Sequence, residues 1–291
     1  MRCIYAFGIP LQPENKKRAP CPIQSERQIW EIQEDGEMKE TIIFEKSRPG
    51  RLRNPVLVTG LPGIGLIGQV VGRYMVEEFK AKKIANLISP HFPHQVFMTK
   101  KGGVRIIKNS FYLVKGKKRD LIILLGDIQA MSSPGQYEVA GKIVEYCAKL
   151  GLKELITVGG YSTGKLSPKR NIYGVATSDA LRKRFAKHGV LFGEAKGSIV
   201  GAAGLIPAIA KMHGLDGACI MGETHGSYVD TAAAKQIVIL LSKYLGMPIN
   251  LKRLTERAKE SQKILQKVQE EVQKTMEQQA EATSRSVSYI R

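Results

Sequence analysis

What this 291-residue chain lacks narrows its function before any motif is read. No run of about 18 consecutive apolar residues occurs, so a membrane-spanning helix is not expected. Residues 1–11 have no long apolar stretch of the secretory-leader type, which points to a cytoplasmic location. Cysteines are few. Cys3, Cys21, Cys147 and Cys219 share no C-x-x-C spacing, so neither a disulfide framework nor a zinc site is expected, and Cys147 and Cys219 sit in apolar patterns that suit buried free thiols. No Cys/His pairing of catalytic type is evident. Acids are scarce: 26 Asp and Glu stand against 45 Lys and Arg.

The resulting charge of +19 is unevenly placed. Residues 1–38 carry −1 and residues 251–291 carry +3, which leaves +17 on residues 39–250. A basic body attracts polyanions without choosing among them. Lys100-Lys101, residues 115–119 and residues 182–184 are short basic clusters without interleaved aromatics to stack on bases, so they read as solvated surface and not as a specific nucleic-acid site.

Along the chain, residues 1–37 contain Pro10, Pro13, Pro20 and Pro22 and show no sustained period; they are expected to be a poorly ordered extension. Met38 opens a strand pattern and is a conceivable start of translation. From there apolar runs alternate with helical patterns. Strands are expected at 55–59, 121–125, 154–158 and 218–221, and helices at 65–79, 136–150, 178–187, 206–212 and 230–245. This alternation predicts an α/β core over residues 38–250, with a mostly parallel central sheet and flanking helices. Residues 104–107 and 111–114, separated by Lys108-Asn109-Ser110, resemble an appended hairpin.

Residues 251–278 are expected to form a helical extension and residues 279–291 a polar, flexible tail. Leu254, Ala258, Ser261, Leu265, Val268, Val272 and Thr275 follow at alternating four- and three-residue steps, the spacing of a narrow helical seam. Its partner is either another chain's helix or the chain's own body. Val287, Tyr289 and Ile290 form an apolar cluster in the otherwise polar terminus.

Several glycine-rich segments resemble nucleotide sites. Gly63, Gly65 and Gly68 match G-x-G-x-x-G after a strand, yet about twenty residues on, where an acid meets the ribose, stand Lys80, Lys82 and Lys83. The segment is therefore read as a tight strand-to-helix turn that lets the helix approach the sheet. Residues 159–165 nearly spell a P-loop, but Leu166 replaces the magnesium-binding Ser or Thr, and the segment is read as a glycine-rich turn at a strand end. Asp127 and the Glu223–His225 pair also end apolar strands, where adjoining acids and a histidine would suit acid/base chemistry; Ser227 or Asp230 there would equally cap the next helix. His91 and His94 lack a third metal ligand.

Taken in order, Gly60-Leu61-Pro62-Gly63-Ile64-Gly65-Leu66-Ile67-Gly68, Gly126-Asp127-Ile128-Gln129, Gly159-Gly160-Tyr161-Ser162-Thr163-Gly164, residues 201–208 and Gly222-Glu223-Thr224 resemble the archaeal proteasome assembly chaperones. The resemblance spans about residues 38–278. It implies a core similar to nucleoside phosphorylases, no cofactor, and an ATP-independent homo-oligomer, a tetramer in preference to a pentamer, that assists assembly of the proteasome α-subunit ring. Gly60, Pro62, Gly63, Gly65, Gly68, Asp127, Gly159, Gly160, Tyr161, Thr163, Gly164 and Glu223 would then shape the core loops, and Leu265, Val268, Val272, Val287, Tyr289 and Ile290 would meet the client. Proteasome-binding partners often end in hydrophobic-Tyr-X; here Tyr289 takes the hydrophobic place and Ile290 the tyrosine's. The alternative is an enzyme acting on a nucleoside or another phosphorylated small molecule at the glycine-lined strand ends.

Overall fold

A computed structural model describes residues 40–164, 170–195, 197–256 and 258. Cys3, Cys21, the extension at 1–37 and the client-contact candidates Leu265, Val268, Val272, Val287, Tyr289 and Ile290 lie outside the described residues.

Short apolar runs rich in β-branched residues build the strands. In chain order they are β1 (Ile42–Glu45), β2 (Val56–Gly60), β3 (Lys82–Ile88), β4 (Val96–Met98), β5 (Val104–Ile106), β6 (Asn109–Val114), β7 (Leu121–Gly126), β8 (Glu154–Ser162), β9 (Ile172–Ala176), β10 (Leu191–Phe192) and β11 (Asp216–Thr224). Among the described residues, helices between or after them include α1 (Ile67–Glu78), α2 (Ser133–Lys149), α3 (Asp179–Ala186), α4 (Ala202–Met212) and α5 (Thr231–Leu245). Nine strands make one sheet in the order β1-β3-β6-β7-β2-β8-β11-β9-β10, while β4 and β5 pair apart from it. The four central strands, β7, β2, β8 and β11, are mutually parallel; antiparallel pairings flank them. The expected α/β architecture is present.

Burial alternates along the strands as a two-sided sheet requires. Val56, Val58, Leu121 and Ile123 face a core shared with α1, α3 and α5, whereas Leu57, Ile122 and Leu124 face one shared with α2 and α4. Side-chain caps set three helix starts: Ser132, Ser178 and Asp230 accept from Gly135, Leu181 and Ala233 N–H groups. Asp230, and not Ser227, caps α5; the Ser227 hydroxyl contacts His225 Nδ1 at 2.5 Å.

Three expectations need correction. Residues 104–107 do not pair with 111–114. Val104–Ile106 turns back on Val96–Met98 through Thr99 to Gly103, where Thr99 N–H donates to Gly103 O at 2.8 Å and Gly102 N–H to Thr99 O at 3.0 Å. Gly102 and Gly103 make the tighter turn, which frees Asn109–Val114 to lie between β3 and β7 in the main sheet. The glycines at 159 and 160 are not a turn: β8 runs on through Ser162, in register with β11 as far as Thr224. The strand ends bearing Asp127 and Glu223 do not adjoin, because β2 and β8 lie between β7 and β11.

The terminal helix starts against the body. Tyr74 OH donates to Asn250 O at 2.5 Å, Arg253 pairs with Glu78, and Leu254 and Ala258 are buried. Leu254 joins the core that holds α1 and α5. At its start the seam therefore packs at home.

Candidate functional site

The glycine-rich segments meet at the C-terminal ends of the central strands, the edge where open α/β sheets place their sites. Between β2 and α1, Leu66 takes φ 49° before the helix begins at Ile67. Gly68 then lets α1 settle onto the sheet, since a Cβ there would stand 2.6 Å from both Leu61 O and Val158 O. Gly160 plays the same part on β8: a Cβ would approach Ile64 O to 2.3 Å. Gly68 serves close packing, as was expected of the strand-to-helix turn, whereas Gly160, expected in a turn, does so from within β8.

Gln129 was quoted within its segment but not singled out, and it proves to be the clasp. Its Nε2 donates to Pro62 O at 2.6 Å while its Oε1 accepts from Ala202 N–H at 2.9 Å. One amide thus joins the β2 loop, the β7 loop and the start of α4. The signal available in sequence was its place beside Asp127, an uncharged side chain able to donate and accept at once.

A cleft of about 450 Å³ opens beside this clasp, between the ends of β2 and β8, with Pro62, Ile64, Tyr161, Val200 and Ala203 among its walls. The chain leaves β2 toward β7 and then crosses to the other side for β8, so the cleft sits at a topological switch point. Its lining is apolar with a few neutral polar groups. Among the described lining residues there is no Asp, Glu, His, Lys, Arg or Cys.

The acids proposed for chemistry are occupied elsewhere. Asp127 accepts from Arg105 Nη1 at 2.5 Å and from Lys108 N–H at 3.1 Å, which fastens the β4–β5 hairpin to the end of β7. Glu223 is buried and accepts from Asn171 N–H at 3.1 Å, while its own N–H donates to Asn171 O at 2.9 Å, fixing the entry to β9. Tyr161 rests its ring 4.8 Å from that of Tyr173, and Thr163 N–H donates to Thr224 O at 3.0 Å, closing the β8–β11 edge. Gly164 ends the described part of that loop. With two strands between them, Asp127 and Glu223 are about 14 Å apart at typical strand spacing, too far to share a proton.

His91 Nε2 meets Glu138 Oε2 at 2.8 Å, and Thr41 N–H donates to Glu138 Oε1 at 2.6 Å. Burial by itself would raise the Glu138 carboxyl, but these hydrogen bonds outweigh it and hold it below the usual carboxylate range. Among the described residues no group of three or more His, Cys, Asp or Glu is placed to hold a metal ion. Burial raises both described thiols, Cys219 to about 11, which leaves them unreactive packing groups. Several basic side chains are also engaged: Lys115 with Asp120, Arg119 and Arg184 with Glu154, and Arg182 with Asp179.

This geometry defines an α/β body whose strand-end acids, Asp127 and Glu223, are engaged in holding loops. Residues 57–269 match the sequence profile of the PAC2 family, and the chain belongs to that family. An uncharacterized protein of Methanocaldococcus jannaschii is 38% identical over 208 residues, 72% of this chain and 80% of its own length. The crystal structure of Pyrococcus furiosus PbaB, described as an archaeal proteasome activator, superposes with a TM-score of 0.75 at 39% identity, covering 80% of this chain and all of that one. Pyrococcus furiosus PbaA, described as an archaeal homolog of proteasome-assembly chaperone, gives a TM-score of 0.67 at 26% identity, covering 84% of this chain and 99% of that one. No helix among the described residues is long and apolar enough to cross a membrane.

Proposed function

We propose that this protein is an ATP-independent chaperone that binds proteasome α subunits in the cytoplasm and assists assembly of their ring, without catalytic turnover. The observation that carries the reading is the match to the PAC2 family together with the likeness to PbaB and PbaA over most of the chain. The cleft supports it, because an apolar lining without an ionisable acid/base pair suits a structural or recognition surface better than hydrolysis or phosphoryl transfer. The body acts as a homo-oligomer, a tetramer in preference to a pentamer. Beyond Ala258 the extension reaches the client: Leu265, Val268 and Val272 continue the seam, and Val287, Tyr289 and Ile290 supply the anchor.

A second reading has its own support. The relative at 39% identity is described as an activator, which favours action on the finished proteasome. Mixing the full chain with separate α subunits and with assembled proteasome decides between them. Assembly predicts faster formation of α rings, followed by native mass spectrometry, and little change in peptide hydrolysis by finished particles. Activation predicts the reverse. Absence of binding to either form overturns both.

A further inference from the structure

The β4–β5 hairpin presents an apolar face that, among the described residues, nothing covers. Its register pairs Val96 with Ile106, Phe97 with Arg105 and Met98 with Val104. Because side chains alternate along a strand, Phe97 and Arg105 share one side and the other four residues share the opposite one. The first side is anchored: the Arg105 guanidinium lies 4.4 Å from the Phe97 ring centroid and holds Asp127. On the second, Val96, Met98, Val104 and Ile106 are 55%, 91%, 75% and 40% exposed. A two-stranded ribbon gains little from such a face in water, and the Arg105–Asp127 pair is what fixes it in place.

The surroundings of this face are cationic. Lys100 and Lys101 are exposed in the turn, and Lys46, Lys83, Lys108 and Arg105 gather at its base. Burial first, and then repulsion among these cations, lowers the pKa of Lys83 and Lys108; the acid acting on both is Asp127, which Arg105 already neutralises.

We propose that this hairpin is a second contact for the proteasome α subunit, receiving an apolar ridge bordered by Asp and Glu side chains. The proposal rests on the α-subunit reading above. Charge complementarity selects the occupant: a second copy of this basic body would set Lys against Lys, and a nucleic acid would satisfy Lys100 and Lys101 yet leave the four apolar side chains without a partner. A protein face with an apolar centre and an acidic rim meets both demands.

The test is surface plasmon resonance with the full chain and immobilised α subunits near 0.15 M salt. Met98→Glu with Val104→Glu should weaken binding at least about tenfold, mainly through faster dissociation. Lys100→Glu with Lys101→Glu leaves the strand pairing untouched and should slow association several-fold while flattening its salt dependence. The lysine variant decides the matter should the apolar variant lose its thermal transition. Parent binding with unchanged kinetics in the folded variants overturns the hairpin contact and leaves the α-subunit reading standing. Absence of binding by the parent overturns both. A change in oligomer mass by light scattering in the apolar variant assigns the face to self-association and likewise overturns the proposal.

Discussion

The phenol of Tyr74, on α1, donates to the carbonyl oxygen of Asn250 at 2.5 Å, tying the first central helix to the start of the C-terminal extension across 176 residues of sequence. The extension is thus rooted in the body, and Leu254 is part of the core that α1 and α5 share. Its role changes along its length. Near the root it stabilises; beyond residue 258 it is proposed to recognise.

Leu254→Ala should therefore act as a core truncation and cost about 2–4 kcal/mol. For a body of this size that corresponds to a fall of roughly 5–15 °C in the thermal midpoint. Scanning calorimetry checks it. An unchanged midpoint would mean that the start of the seam is not docked.

Gln129→Leu should loosen three loops together. It removes the donor to Pro62 O and the acceptor of Ala202 N–H, and the unpaired groups cost about 1–3 kcal/mol. Hydrogen exchange should quicken at Ala202 and in residues 61–66 while the central strands stay protected. Exchange identical to the parent's would show that the clasp does not hold the loops.

Acid should weaken the fold through Asp120, which is 3% exposed. Burial opposes its ionisation, but hydrogen bonds from Arg53 N–H, Lys115 Nζ and Gly116 N–H outweigh burial and lower its pKa. A carboxylate with a depressed folded pKa contributes stability that is present above its unfolded value of about 3.9 and lost as pH falls through the folded one. Chemical denaturation at pH 6 and pH 3 should show the stability gap between the parent and Asp120→Asn narrowing toward the lower pH. A constant gap would remove Asp120 from the account.

The central sheet was legible because strands such as Leu121–Gly126 are buried on both faces and so read as unbroken apolar runs. The order of strands was not legible. Asp127 and His225 follow similar runs, and nothing local tells that two strands separate them. The hairpin was misplaced for a related reason: Lys108-Asn109-Ser110 has turn chemistry, but Asn109 pairs with both Leu87 and Gly126, a tertiary demand that overrides it. The segment around Gly68 announced its close packing, while Gly159 and Gly160 read as a turn and lie within β8. One partner of Gly68, Val158 O, belongs to a strand ninety residues away in sequence and required the fold.

The measurement closest to the central claim is binding of α subunits by a chain cut after residue 258. That boundary matters, because a cut at 250 would strip Leu254 from the core and confound recognition with stability. Removing residues 259–291 should leave the thermal midpoint and oligomer mass unchanged and abolish co-elution with α subunits. Tyr289→Ala with Ile290→Ala in the full chain should reproduce about thirtyfold of that loss, the affinity equivalent of an anchor worth about 2 kcal/mol. Co-elution of the shortened chain at the level of the parent would contradict a grip by the extension.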